Sequence, residues 1–181
     1  MADGGPSRKR AASTGVKLEV EVVRHGDAWA PVQVTDAMLK QAARAALLAA
    51  PHLRQGTYEV AIVLTGDEEM RNLNRTWRGK DAATNVLSFP ADNGIREPGL
   101  LGDVVLAYET TLKEARQQNI ALQDHVSHLV VHGVLHLLGF DHAEDEAAEL
   151  MENLERTVLA SLGIADPYAE ADETQHAETS P

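Results

Sequence analysis

The chain has 181 residues, of which 44% are hydrophobic and 24% charged, and its formal net charge is −12. These values are typical of a globular protein large enough to bury a core. The absence of cysteine excludes disulfides, a thiolate nucleophile and any cysteine-built zinc site. The negative charge argues against wrapping duplex nucleic acid by bulk electrostatics, so a nucleic-acid partner must meet a local basic patch. The sequence offers such a patch in Arg71, Arg75, Arg78 and Lys80.

The two ends of the chain differ in composition from its middle. Residues 1–15 are rich in Gly, Ser, Ala and basic residues, and they predict a disordered basic tail. Residues 169–181 predict a disordered acidic tail, and residues 16–168 between them predict a single domain. The start has no apolar core typical of a secretory signal, and no run reaches the roughly 18 apolar residues of a membrane span. We therefore expect a cytoplasmic protein with no membrane partner.

Between the tails, segments of period-two alternation are interspersed with segments that carry helix caps and helical periodicity. The predicted strands are at 16–22, 58–65, 85–89 and 103–108. The predicted helices run from 36 to about 50, from 67 with Met70, Leu73 and Trp77, from 110 or 111 to about 119, from a cap at Asp124, and from 144 to 162. Strands and helices therefore follow the order strand, helix, strand, helix, two strands and three helices. This order predicts an α+β fold, with a small mixed four-stranded sheet packed with helices. The helix capped by Asp124 is apolar almost all round, so we expect it to be the central, buried one.

That central helix carries the first part of a histidine motif. Residues 132–142 contain three histidines in the order H-x-x-x-H-x-x-x-x-x-H. His132 and His136 lie one turn apart on one helix face, and Gly139 can end the helix in a left-handed conformation that returns His142 towards them. Burying neutral imidazoles without partners costs several kcal/mol, and one metal ion satisfies all of them. The motif therefore predicts one divalent ion with an open fourth position, most simply Zn²⁺, although imidazoles also accept nickel, copper or cobalt.

Three further residues are candidates for supporting roles at this site, and a fourth, His125, is not. His128 lies one turn before the first ligand and is an outer-sphere group, a substrate-facing group or a core residue. His125 is near the start of the helix and is expected to be exposed. Asp141 is expected to be an orienting or a turn-stabilising carboxylate, and Asp103 is a candidate acceptor for the free N–H of a ligand. The acidic residues of the last helix are expected to form mainly a solvated face: Glu144, Asp145, Glu146, Glu149, Glu152 and Glu155.

The histidine spacing equals that of the H-E-x-x-H-x-x-G-x-x-H zinc proteases, but Gly133 occupies the position of their catalytic glutamate. Without that glutamate a general base must come from elsewhere, although a metal alone lowers the pKa of water to about 7. A phosphodiester substrate also requires cations that stabilise the negative charge developing in the transition state. The missing glutamate therefore argues against peptide hydrolysis and makes an arginine near the site important.

A second motif, at residues 73–90, reads LNRTWRGKDAATNVLSFP. A helix end with Arg75 and Arg78 leads into a Gly-Lys-Asp loop and then into a strand. Taken alone, this pattern is more typical of a solvated helix terminus, where the macrodipole favours cations.

Taken together, the two motifs make the chain resemble the YbeY family of metal-dependent endoribonucleases, which are rRNA maturation factors. The family signature H-G-x-L-H-L-x-G-[YF]-D-H matches residues 132–142 at every fixed position. A second signature, R-G-x-D leading to T-[DN]-V-L-S-F-P, matches residues 78–81 and 84–90, with Ala83 where proline is common. The resemblance covers roughly residues 16–168.

This resemblance implies that His132, His136 and His142 bind zinc and that Arg78 is catalytic and binds the scissile phosphate. It implies cleavage of single-stranded RNA, in the maturation of the 3′ end of small-subunit ribosomal RNA and in ribosome quality control. The implied partners are a ribosomal RNA precursor, ribosomal proteins and a ribosome-associated GTPase. Lys80 or Arg75 would steer the strand towards the site.

Two alternatives use the same histidines differently. A metallopeptidase shares the ligand spacing but lacks the glutamate base and leaves the arginine segment without a role. A non-catalytic RNA-binding ribosome assembly factor would hold a structural metal, but a structural zinc site is normally closed by a fourth protein ligand, and the motif supplies three.

Overall fold

The computed structural model describes residues 15–91, 97–142 and 144–169. Within these ranges the chain forms strands and helices in the following order: β1 Val16–Arg24, α1 Asp36–Ala49, β2 Gly56–Thr65, α2 Asp67–Arg78, β3 Val86–Pro90, β4 Gly99–Ala107, α3 Tyr108–Gln117, α4 Leu122–Leu137 and α5 Asp145–Ser161. The order and type of these elements agree with the prediction. The predicted tails lie almost wholly outside the described residues. None of the helices described is both long and apolar enough to cross a bilayer.

The strands form one four-stranded mixed sheet in the order β1-β2-β4-β3. The pairs β1–β2 and β2–β4 are parallel, and β3 pairs with β4 in antiparallel fashion. This confirms the predicted α+β class with a small mixed sheet. Because β3 has a strand on one side only, it forms an edge of the sheet, and it connects the second motif to the core.

Alternate residues of β4 face two different helix layers. Val104 and Leu106 belong to the main core, which packs the sheet against α1 and α4. Val105 faces the other side and packs with Met70 of α2 and with Leu87 of β3. Helix α5 packs on α1 and α4, so α4 lies between the sheet and α5. This confirms that α4 is the central buried helix, with most of its residues buried.

Some element boundaries differ from the sequence-based expectation. Strand β4 begins at Gly99, four residues before the predicted start, because the parallel ladder with β2 continues past a register shift at Glu59/Val60. Helix α3 begins at Tyr108, directly after the strand. Helix α4 begins at Leu122 with Ala121 as its N-cap, so Asp124 lies in the first turn and does not cap it. The negative charge of Asp124 in the first turn still stabilises α4, because it lies at the positive N-terminal end of the helix dipole.

Candidate metal centre

The end of α4 and the turn that follows it position three imidazoles. His132 and His136 lie one turn apart near the end of α4, which ends at Leu137. Gly139 then adopts a φ of 82°, a left-handed conformation that a residue with a Cβ rarely takes. Phe140 is buried, and its N–H donates to the carbonyl of Leu135 at 3.1 Å. These two features reverse the chain and bring His142 back to the helix.

The three imidazoles converge on one point. The Nε2 atoms of His132 and His136 are 3.1 Å apart. The ring centroid of His142 lies 5.6 Å from that of His132 and 5.0 Å from that of His136. One ring nitrogen of each residue lies within 4.8 Å of the others, and no other group of potential ligands in the described part of the chain meets this condition. Three neutral imidazoles are a donor set suited to zinc and to similar borderline metal ions.

The protonation state of His136 favours metal binding. Burial lowers the pKa of His136 below its ordinary value of 6.5, and the neighbouring His132 and His142 lower it further. A hydrogen bond with the backbone of Phe140 acts in the opposite direction but is outweighed. The imidazole is therefore neutral at pH 7, which is the form that coordinates a metal.

The orientation of His132 is fixed by a buried carboxylate. Nδ1 of His132 donates to Oε1 of Glu155, on α5, at 2.8 Å. With the proton on Nδ1, Nε2 carries the free lone pair that faces the other histidines. A carboxylate that accepts from the second ring nitrogen is the usual outer-sphere support of a metal-binding histidine.

Glu155 is itself held by two further hydrogen bonds. The ring of His128 donates to Oε2 of Glu155 at 2.9 Å, and the hydroxyl of Tyr168 donates to the same oxygen. Burial alone raises the pKa of Glu155, but the hydrogen bonds from His128, His132 and Tyr168 outweigh it and hold the pKa well below the usual range. Burial, and then the bond to Glu155, raise the pKa of Tyr168. Glu155 is therefore a charged carboxylate, and His128 supports the site through it.

The prediction that the acidic residues of the last helix form mainly a solvated face is wrong for Glu155, whose side chain is only 1% exposed. A signal was present in the sequence. Glu155 occurs at helical spacing with Met151, Val158 and Leu159, all of which are buried. A carboxylate on the apolar face of a helix requires a partner, and here the partners are histidines of α4.

Two other expectations around the site are corrected. Asp103 is exposed on β4 and, among the described residues, makes no hydrogen bond with a histidine, because Glu155 takes that role. His125 is buried, not exposed, and its Nε2 lies 2.8 Å from the carboxylate of Glu114. The expectation for Asp141 is confirmed, since its Oδ1 accepts from the backbone N–H of His142 at 2.7 Å.

Gly133 packs directly against the sheet. A Cβ added to Gly133 would lie 2.5 Å from Cγ1 of Val104, on β4. The hydroxyl of Ser88, on β3, donates to the carbonyl of Gly133 at 3.1 Å. Position 133 therefore faces the sheet, and a side chain as large as glutamate does not fit there. The glutamate of the zinc proteases is thus excluded by packing as well as absent from the sequence.

The arginines of the second motif have different surroundings. Arg71 binds Asp81 through two hydrogen bonds of 2.7 and 2.8 Å, and Arg75 lies 3.8 Å from the same carboxylate. Arg78, the last residue of α2, is exposed. Within the described ranges its side chain has neither an ion pair nor a hydrogen bond, and none connects it to the three histidines. The structure therefore leaves the Arg78 guanidinium available for an anionic ligand.

Edge strand β3 connects the second motif to the histidine helix. Phe89 packs edge-to-face against Trp77 of α2, with ring centroids 6.1 Å apart. The preceding residue, Ser88, points to the opposite face and bonds to α4 at Gly133. Two consecutive residues of one strand thus contact both segments that the sequence singled out.

Comparisons with known proteins agree with this arrangement. The family model described as Endoribonuclease YbeY matches residues 27–163. A protein named Endoribonuclease YbeY from Parvibaculum lavamentivorans is 48% identical over 180 residues, covering 92% of this chain and 95% of its own length. One of the same name from Paramagnetospirillum magneticum is 50% identical, covering 86% of this chain and 98% of its own length. The solution structure of TM1509 from Thermotoga maritima has the same fold, with a TM-score of 0.54 at 19% identity, covering 90% of this chain and 98% of its own.

The resemblance first seen in the two motifs thus extends over most of the chain. The matched region contains β2, β3 and β4, the three histidines, Glu155 and Arg78, whereas β1 precedes it. The chain therefore belongs to the Endoribonuclease YbeY family.

Proposed function

We propose that this protein is a zinc-dependent endoribonuclease that cleaves single-stranded RNA in the maturation of the 3′ end of small-subunit ribosomal RNA. The observation that carries the proposal is the convergence of three imidazole nitrogens within 4.8 Å, in a chain of this family. Residues 16–168 would form the catalytic domain. Cleavage of ribosomal RNA in defective ribosomes would use the same site.

In the proposed site His132, His136 and His142 hold one metal ion. A metal ion bound there would supply Lewis acidity towards a phosphoryl oxygen and towards water. The protein contributes the fixed geometry, because the hydrogen bond to Glu155 sets the ring of His132 before the metal binds. This preorganisation reduces the cost of ordering the ligands.

Arg78 has the role of binding the scissile phosphate in this proposal. Its guanidinium offers five N–H donors in a planar fork that matches a phosphate group. The exposed position and the lack of an acidic partner among the described residues support this role. By contrast, the nearby Arg71 is neutralised by Asp81.

Two structural features argue against the alternatives. The close contact of position 133 with Val104 leaves no room for the glutamate base of a metallopeptidase. A structural zinc site is normally closed by four protein ligands, whereas the described residues provide a group of three. An open position is what a catalytic site requires, so catalysis accounts for the centre better than a purely structural role in ribosome assembly.

The partners follow from the proposed substrate and from the family resemblance. They are single-stranded RNA and a ribosomal RNA precursor, with ribosomal proteins and a ribosome-associated GTPase as expected protein partners. Because ribosomes are assembled in the cytoplasm, we place the protein there.

The test incubates wild type, His136→Ala and His52→Ala with zinc and measures their cleavage of a ribosomal RNA precursor. An unstructured protein is tested in parallel as a peptidase substrate. His52 is exposed in a loop, so its replacement controls for the loss of one histidine. We expect His136→Ala to lose both zinc and RNA cleavage, His52→Ala to retain both, and the protein substrate to remain intact. Full RNA cleavage by His136→Ala would refute the assignment, and zinc-dependent proteolysis would favour the peptidase.

A further inference from the structure

Trp77 is unusually exposed for a tryptophan on an amphipathic helix. The sequence places it in phase with Met70 and Leu73, and Met70 is completely buried. Trp77, however, is 69% exposed, which makes it the most exposed large hydrophobic side chain in the described ranges. The other tryptophan of the chain, Trp29, is buried and donates its indole N–H to the carbonyl of Thr65 at 2.8 Å. Tryptophan is enriched at binding interfaces, where one side of the ring is packed and the other meets a ligand or solvent.

The exposed indole is nevertheless held in place. Its ring packs edge-to-face against Phe89 of β3, with an interplanar angle of 67°. Phe89 in turn packs against the small core that contains Met70 and Leu87. Trp77 is therefore supported on one side and open to solvent over most of its surface. A rigid aromatic side chain of this kind loses little conformational entropy when a ligand stacks on it.

The charges around Trp77 specify the kind of ligand. Although the chain carries a net charge of −12, the residues that flank Trp77 in sequence include Arg75, Arg78 and Lys80, all exposed. Arg78 has no ion-pair partner within the described residues, so its charge is not neutralised locally. Asp81, in the same segment, pairs with Arg71 and lies 3.8 Å from Arg75, which leaves Arg78 and Lys80 as the cations without an ion pair among the described residues. An exposed aromatic ring near such cations in sequence is a combination suited to single-stranded nucleic acid, in which bases stack on the ring and cations bind phosphates.

The position of Trp77 fits the path of such a strand. Its support, Phe89, is adjacent to Ser88, which bonds to the carbonyl of Gly133 next to the first metal-binding histidine. Strand β3 is an edge of the sheet, so no further strand of the described residues pairs with it on that side. Because Phe89 and Ser88 point to opposite faces of β3, an RNA strand stacked on Trp77 would pass around this edge of the sheet to reach the histidine helix.

We propose that Trp77 is a stacking platform for an unpaired base of single-stranded RNA and positions the adjacent phosphate for Arg78. This inference rests on the proposed function for the identity of the nucleic acid. It adds a subsite that recognises the flat face of a base, so it favours single strands over duplexes without selecting a sequence.

The test uses the intrinsic fluorescence of the metal-free full-length protein, in which RNA is not cleaved. Three probes are titrated: a single-stranded oligoribonucleotide of about 12 nucleotides, the same strand annealed to its complement, and an abasic strand of equal length. The chain has two tryptophans, so Trp77→Phe isolates the buried Trp29 as a reference. We expect quenching of wild type by the single strand only, and no quenching of Trp77→Phe.

Affinity measurements on the same probes complete the test. Loss of one stacked base weakens binding by about 5- to 150-fold, so we expect that decrease for Trp77→Ala and a much smaller one for Trp77→Phe, which keeps an aromatic face. Leu150→Ala, at an exposed apolar residue of α5, is the control and should bind as wild type does. Equal quenching by the abasic strand, or unchanged affinity of Trp77→Ala for the single strand, would refute the proposal that Trp77 stacks on a base.

Cleavage by the zinc-loaded proteins separates the two proposals. If wild type and Trp77→Ala cleave and bind RNA equally well, the platform is wrong and the endoribonuclease proposal stands. If the single strand quenches Trp77 while no zinc-loaded protein cleaves RNA, the platform is supported and the endoribonuclease proposal fails.

Discussion

Oε1 of Glu155 lies 2.8 Å from Nδ1 of His132, while Nε2 of the same ring lies 3.1 Å from Nε2 of His136. The histidine cluster is thus connected through one imidazole to a carboxylate on the last helix. This carboxylate is buried and remains charged because hydrogen bonds from His128, His132 and Tyr168 hold its pKa low. The interface of α4 and α5 is therefore part of the site as well as part of the core.

The first prediction concerns this connection. Replacing Glu155 by Gln removes the negative charge that fixes and polarises His132, and we expect zinc affinity to fall by about 10- to 100-fold. The measurement is competition for zinc with a chromophoric chelator. Glu149→Gln, at an exposed position of the same helix, is the matched control. Equal zinc affinity of both variants would show that Glu155 does not support the centre.

The second prediction separates Arg78 from the metal. Arg78→Ala is expected to retain full zinc content and to lose cleavage by about 10²- to 10³-fold, the usual effect of removing one group that stabilises transition-state charge. Arg78→Lys should restore only part of the rate, since an ammonium lacks the planar fork. Arg116→Ala, which removes an exposed positive charge from α3, is the control and should cleave normally. A fully active Arg78→Ala would eliminate Arg78 from the site.

The third prediction concerns the contact of α4 with the sheet. Replacing glycine by alanine in a helix usually stabilises a protein by about 0.5–1 kcal/mol. At Gly133 the opposite sign is expected, a loss of about 1–3 kcal/mol in the free energy of unfolding, because the new Cβ would lie 2.5 Å from Val104. The double variant Gly133→Ala/Val104→Ala should show a favourable coupling in urea unfolding. A more stable Gly133→Ala protein would contradict the packing described here.

The fourth prediction is a pH dependence away from the metal. The hydroxyl of Thr65 donates a hydrogen bond to the carboxylate of Glu69 and lowers its pKa. Burial acts in the opposite direction, while the hydrogen bond with His25 lowers the pKa further. A lowered pKa in the folded state contributes stability above the ordinary value of 4.5, and this contribution is lost as the pH falls through the folded value. Because Glu69 is half-exposed, we expect less than about 1 kcal/mol.

The measurement is urea unfolding of Glu69→Gln from pH 7 to acid. Its deficit relative to wild type should be greatest at neutral pH and should shrink below pH 4.5. Glu68→Gln makes the same change of charge at the neighbouring exposed position and is expected to show no such dependence. A deficit of Glu69→Gln that grows on acidification would contradict the assigned sign.

Much of the fold follows from local patterns in the sequence. The alternation in β1, the Thr35 cap of α1 and the apolar surface of α4 each depend on a few neighbouring residues, and each element was predicted correctly. The start of β4 was missed because its first residues are stabilised by pairing with β2, which is distant in sequence. Local periodicity contains no information about such a partner.

In the candidate site, too, the features that depend on local sequence were predicted and those that depend on packing between helices were not. The spacing of His132, His136 and His142 predicted a cluster, which the structure brings together, since a helix and one turn suffice to form it. Glu155 and His125 were misjudged because their burial depends on packing between helices. A charged or polar side chain is expected in solvent unless a partner from another element is known. Trp77 is in helical phase with the buried Met70 but is itself exposed, because helical phase alone does not establish that a second layer covers that face.

The most direct measurement of the central claim is the RNA cleavage rate of metal-stripped protein as zinc is added back. Our account predicts no cleavage without metal, a rate that rises in proportion to zinc and levels at about one equivalent per chain, and no recovery for His136→Ala. Cleavage by the stripped wild type at the full rate would contradict the claim that these three histidines form the catalytic centre.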